Sequence, residues 1–193
     1  GYIEGELKDS FVVVSAHYDH LGMMGKETYF RGASDNASGT SLMLDLAAHY
    51  AQTKPKYSMV FVAFGSEEIG LVGSKAFVDD AVVPLKSIKA VLNIDLMGGG
   101  SEGVTVVNGS VYTKLFDLVE LANKDAGLSK IKVRGKSANS DHHWFTEKDV
   151  PSIFIYTNGD VTAYHDIDDV PSGLKWAHYE QLFTLMKGFV NSL

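Results

Sequence analysis

The chain has 193 residues, 45% of them hydrophobic and 21% charged, enough for one domain with a sizeable core. Its formal net charge of −7 argues against nucleic-acid binding, which calls for a basic surface. With no cysteine, disulfides and thiolate metal sites are excluded, and a metal would have to be held by His and carboxylate.

No apolar run approaches the roughly 20 residues of a membrane span. The opening Gly1-Tyr2-Ile3-Glu4 has strand character almost at once and no leader-like pattern. Residues 3–7 are predicted as a short strand, with Lys8-Asp9-Ser10 as a turn. Residues 11–16 (F-V-V-V-S-A) form a continuous apolar run, as in a strand covered on both faces. Residues 17–36 lack periodicity and carry Gly22, Gly25 and Gly32, so they read as a loop that builds a site. Leu42, Met43, Leu46, Ala47 and Tyr50 then recur at helical spacing, with Asp35 and Asn36 where an N-cap belongs. A second buried strand is predicted over 58–64, a short helix over 74–80 and a third strand over 88–94.

A short strand is expected over 104–107, then a helix capped by Ser110 with Leu115, Leu118, Val119 and Ala122 inward. A strand at 131–133, a helix opening at Ser140-Asp141 and a strand over 152–156 follow. Residues 157–174 read as a loop. The last helix carries Trp176, Tyr179, Leu182, Phe183, Met186, Phe189 and Val190 on one stripe. Strands alternating with helices predict an α/β fold in one domain, residues 1–193, with a mixed, largely parallel central sheet flanked by helices on both faces.

Polar residues cluster after the strand ends. His17 and Asp19 follow the first long strand, Glu67 and Glu68 the second, and Asp95 the third. Asp35 lies at a helix start and His165 in the late loop. In open α/β sheets, sites form beyond the carboxyl ends of the strands, so these residues are able to converge. A ligand set of His17, Asp35, Glu68, Asp95 and His165 carries three negative charges. One divalent ion would leave it at −1. Two ions and a bridging hydroxide bring it to zero, and a carboxylate such as Asp35 is suited to bridging. His and carboxylate without thiolate suit zinc, with manganese or cobalt as alternatives. In the Glu67-Glu68 pair, neighbouring side chains point apart, so one can bind metal while the other acts as general base. Asp19 is placed to orient His17.

The motifs H-Y-D-H (17–20), G-A-S-D-N-A-S-G (32–39), Glu67-Glu68, N-I-D (93–95), S-D-H-x-x-F (140–145) and Y-H (164–165) occur in that order. In this the chain resembles the zinc-dependent aminopeptidases of the bacterial and fungal secreted leucyl-aminopeptidase type, a group that also holds glutamate carboxypeptidases and glutaminyl cyclases. The resemblance runs from about Val12 to the C-terminus. It implies a zinc-aminopeptidase/phosphorylase-like fold and a two-zinc exopeptidase that removes the first residue of peptides with a free N-terminus. His17, Asp35, Glu68, Asp95 and His165 are then the metal ligands, with Asp35 bridging. Asp19 orients His17, Glu67 is the general acid/base, Tyr164 donates to the oxyanion and Asp141 orients near the site. It further implies a secreted or periplasmic setting and an additional helix and strand ahead of residue 1.

Taken singly, each residue has a plainer use: Asp19 as a loop cap, Asp35 as an N-cap, Glu67 and Glu68 as solvated charges, His165 as a surface His. Taken together those uses are improbable. His20 and His142 read as site-lining or structural. Met97 and Phe145 are apolar residues near the motifs and hint at an apolar first residue in the substrate. Competing readings are carboxypeptidase-type hydrolysis, glutaminyl cyclisation, and an inert interaction module on the same scaffold.

Overall fold

A computed structural model describes all 193 residues. Four strands form the parallel centre of the sheet: β2 (Leu7–His17), β5 (Tyr57–Phe64), β6 (Ile88–Ile94) and β9 (Ser152–Thr157). Three short strands complete it. β1 (Tyr2–Ile3) runs antiparallel to β5, β7 (Val104–Val107) antiparallel to β9, and β8 (Ile131–Val133) parallel to β7. The order across the sheet is β1-β5-β2-β6-β9-β7-β8. Because the four central strands are parallel, their carboxyl ends lie on one rim. That rim carries His17, the Gly65–Glu68 turn, Asp95 and the loop after Thr157.

The alternation of side chains along each strand builds two hydrophobic layers. Val12, Val14 and Ala16 face the larger layer, against Leu42 and Leu46 of α1 (Gly39–Gln52), Val119 of α3 (Thr113–Ala126) and Leu182, Met186 and Phe189 of α5 (Tyr179–Ser192). Val13 faces the other, with Val78 of α2 (Val72–Asp79) and Phe145 of α4 (His142–Thr146). Both faces are therefore covered, as the unbroken apolar runs of the central strands require. No helix is long and apolar enough to cross a membrane.

Several local expectations are corrected. Lys8-Asp9-Ser10 is not a turn but the bulged start of β2, where Leu7 pairs with Tyr57 and Phe11 already with Ser58. The Ser58 hydroxyl donates to the Lys8 carbonyl at 3.2 Å and holds that bulge. Residues 3–7 do not form one strand, because β1 ends at Ile3 and the chain crosses to β2 at Gly5. A side chain on Gly5 would collide with the Tyr57 backbone. Within the 17–36 loop lies a hairpin, β3 (Gly22–Met24) with β4 (Thr28–Phe30); its side chains are mostly exposed, so no hydrophobic alternation marked it. Ser110 does not cap α3, which starts after Tyr112. Trp176 lies in a short 3-10 turn before α5 and is 43% exposed.

Candidate metal centre

His17 stands at the tip of β2, 1% exposed. Its Nδ1 faces the Asp19 backbone carbonyl at 3.1 Å. That contact requires the proton on Nδ1, which aims the Nε2 lone pair at Asp35 Oδ1 and Asp95 Oδ2, each 3.2 Å away. A lone pair facing two carboxylates is repulsive, so the spot calls for positive charge, either a proton on Nε2 or a cation among the three groups. Burial alone would push the His17 imidazole down. Its hydrogen bonds to Asp35 and Asp95 outweigh burial and raise it to about 12, which measures how strongly this spot attracts positive charge.

Asp95 follows β6, with its N–H donating to the Ile155 carbonyl. Burial raises its pKa, and its Oδ1 is buried with no partner. Asp35 presents its other oxygen, Oδ2, to His165 Nε2 at 3.2 Å, and that nitrogen is also 3.2 Å from Glu68 Oε2. The loop residue His165 is brought in with φ +56°, its ring stacked on Tyr164 with centroids 3.9 Å apart. Glu68 is raised by burial first and by Asp35 second.

These contacts have the spacing of ligand atoms around tetrahedral zinc. Bonds of about 2.0–2.1 Å in tetrahedral geometry put ligand atoms about 3.3 Å apart. Four edges of 3.2 Å are present, two radiating from each Nε2, and they share Asp35. An orphaned buried carboxylate oxygen and two oppositely placed imidazoles are what a cationic centre would satisfy. The five residues of the expected ligand set are thus gathered from five separate segments of the chain.

Asp35 is not a helix cap. Asn36 serves that end instead, its Oδ1 accepting from Gly39 N at 2.9 Å and from Leu96 N at 3.3 Å. The Asp35–Asn36 peptide is cis. The Asp19 carboxylate lies 3.7 Å from His17 Nδ1, farther than its own carbonyl. It mainly accepts the backbone N–H groups of Glu67 at 3.1 Å and Glu68 at 3.2 Å, fixing the turn from which both glutamates project.

Glu67 lines a cavity of about 240 Å³ together with His17, Asp35, Glu68, Asp95, Tyr164, Leu96, Phe154 and Tyr156. Burial pushes its carboxyl up to about 8. Tyr164 is held up at about 12, by burial and then by Asp35 and Glu68, so it stays a donor at neutral pH. Asp141 begins α4, fully buried and outside the cavity wall; both its oxygens lack partners and burial raises it to about 6. Met97 and Phe145 are 1% and 0% exposed and belong to the two core layers, not to the cavity. Leu96, with φ +54°, turns the chain so that it meets the cavity while Met97 enters the core.

One contributor, Asp169, was missed from the sequence, and His20, read there as site-lining or structural, has a definite partner. Asp169, 2% exposed, accepts Ser34 N at 2.7 Å and Asp35 N at 3.0 Å, zipping the His165 loop to the Asp35 loop. His20 reaches Glu68 Oε1 at 2.7 Å. Neither contact has a local signature, because each partner is 48 to 135 residues away.

The comparisons follow this geometry. Aminopeptidase YwaD of Bacillus subtilis (strain 168) is 39% identical over 169 residues, 82% of this chain and 35% of the relative. The solved structure of BSAP, a zinc aminopeptidase from Bacillus subtilis, superposes with a TM-score of 0.84 at 25% identity, covering 100% of this chain and 48% of that one. An Acidobacteriales bacterium glutaminyl cyclase shares the fold at 21% identity, with a TM-score of 0.83 over 99% of this chain and 72% of its own. The chain thus spans about a third to a half of the length of these two aminopeptidases. The model of Peptidase family M28 matches residues 1–190, and the chain belongs to that family.

Proposed function

We propose that the protein is a two-zinc aminopeptidase, with residues 1–193 as its catalytic domain. It would remove the first residue of peptides that carry a free N-terminus. The observation that carries this reading is the divided attention of Asp35: Oδ1 lies 3.2 Å from His17 Nε2 and Oδ2 lies 3.2 Å from His165 Nε2. Each histidine has one further carboxylate at the same distance, Asp95 for His17 and Glu68 for His165. One position would be held by His17, Asp95 and Asp35, the other by His165, Glu68 and Asp35. When bound, the ions would polarise the scissile carbonyl and make water a nucleophile at neutral pH.

The chain's own residues do the rest. Glu67, on the wall of the same cavity, is positioned to take a proton from the attacking water and return it to the leaving amine. Its backbone is fixed by Asp19, so the carboxylate stays on the cavity wall. Tyr164 donates its hydroxyl to the carbonyl oxygen as negative charge builds there. The acidic cluster suits the ammonium group of a free N-terminus. Leu96, Phe154 and Tyr156 supply the apolar wall for the first side chain. The family resemblance supports a secreted or periplasmic setting for this activity.

The test is release of p-nitroaniline from aminoacyl-p-nitroanilides by zinc-loaded protein. Activity is expected on free-amine substrates, lost on acetylating the amine, and lowered about 10²–10⁴-fold in Glu67→Gln with zinc retained. No activity on any free-amine substrate in protein holding two zinc ions would overturn the proposal.

A further inference from the structure

His20 is a buried imidazole beside the site to which the mechanism gives no task. It is the second histidine of H-Y-D-H, with its side chain 8% exposed, beside Glu68. Its Nδ1 lies 2.7 Å from Glu68 Oε1 and 3.9 Å from Asp35 Oδ2. The four distances from His17 and His165 Nε2 to their carboxylates are each 3.2 Å. Two donors on one tetrahedral zinc ion sit about 3.3 Å apart. A separation of 2.7 Å is too short for that and is the length of a charge-assisted N–H···O hydrogen bond. His20 therefore touches Glu68 as a donor, not as a fellow ligand.

The ring is seated for this purpose. Gly32, at φ +61°, leaves room for it: a Cβ there would lie 2.7 Å from His20 Cγ. On another side it meets the His165 ring edge-on, with centroids 5.9 Å apart. A histidine that only met solvent would not be clamped between a left-handed glycine and a second imidazole.

We infer that His20 is a positioning residue that donates its Nδ1–H to Glu68 Oε1 and so commits Oε2 to the metal position shared with His165. The inference rests on the two-metal reading above. It also gives the whole His17–His20 segment one logic. His17 is a ligand, Asp19 holds the backbone of Glu67 and Glu68, and His20 holds the Glu68 carboxylate. Without the His20 donor, Glu68 is free to rotate, to present either oxygen or to bind through both. The position formed by His17, Asp35 and Asp95 makes no contact through Glu68 and would be little affected.

The experiment measures stepwise zinc affinity by chelator competition, together with the visible spectrum of the cobalt-substituted protein. It uses wild type, His20→Ala, His20→Asn and His20→Phe, each checked for folding by circular dichroism. Removal of a partner that orients a ligand weakens metal binding about 10–100-fold. His20→Ala and His20→Phe are expected to lose that much in one of the two steps and to change the cobalt spectrum. His20→Asn keeps an N–H near the place of Nδ1 and is expected to recover most of both. Wild type taking up fewer than two ions would overturn the two-metal reading and this inference with it. Two ions in wild type, with both steps unchanged in His20→Ala, would overturn this inference alone. So would recovery by His20→Phe, which would show that packing is all His20 supplies, or equal weakening of both steps.

Discussion

Replacing Asp169 by alanine tests how the site is held rather than how it reacts. Asp169 sits in the loop after His165 and is 2% exposed. Its two oxygens accept Ser34 N at 2.7 Å and Asp35 N at 3.0 Å, and its own carbonyl accepts Ala33 N at 3.2 Å. The alanine variant removes two hydrogen bonds to a charged acceptor, each worth about 1.5–3 kcal/mol. It leaves both N–H groups buried without partners. A loss of about 3–5 kcal/mol in unfolding free energy follows for metal-free protein, measured by urea denaturation with circular dichroism. The same change lets the Asp35 backbone drift, so zinc binding should weaken in parallel under chelator competition. Asp169→Asn keeps one acceptor oxygen and should fall between. A loss under 1 kcal/mol with unchanged zinc affinity would refute the reasoning, because the zipper would then carry no load.

Other consequences are equally direct. Tyr164→Phe removes the donor proposed for the carbonyl oxygen and should lower kcat about 10²-fold with KM little changed; a kcat within twofold of wild type would remove Tyr164 from the mechanism. Asp141 is buried, and burial outweighs the nearby Ser74 hydroxyl and lifts its carboxyl to about 6 from the usual 3.8. A raised acid binds its proton more tightly when folded, so it costs stability as pH rises between those values. The full cost, about 3 kcal/mol, applies above about pH 6 and none applies below about pH 4. Metal-free Asp141→Asn should therefore be about 1–3 kcal/mol more stable than wild type at pH 8, with the gain shrinking towards pH 4. Denaturation curves at the two pH values check this, and a variant less stable at pH 8 would contradict it.

What was legible in the sequence is what local physics writes there. The central strands announced themselves because they are buried on both faces, so Phe11 to Ala16 and Ile88 to Ile94 are almost wholly apolar. The carboxylates and His17 after those strands were legible because parallel strands bring their ends to one rim. The β3–β4 hairpin was not, since Met23, Met24 and Tyr29 are exposed and no face alternates. Lys8 to Ser10 read as a turn because three polar residues in a row look the same in a bulge. Asp35 and Asn36 both sit where a cap belongs, and only the backbone decides that Asn36 caps while Asp35 turns to the site. Met97 and Leu96 exchange places for the same reason, through the positive φ at Leu96. Asp169 and His20 act through contacts across 48 to 135 positions, which leave no spacing to read.

The most direct test of the central claim counts zinc per chain after dialysis, by elemental analysis, in wild type and Asp35→Asn. If Asp35 joins two positions, wild type holds two ions per chain and Asp35→Asn loses affinity at both. A single ion in wild type, or an Asp35→Asn variant that still binds two with unchanged affinity, would contradict the account.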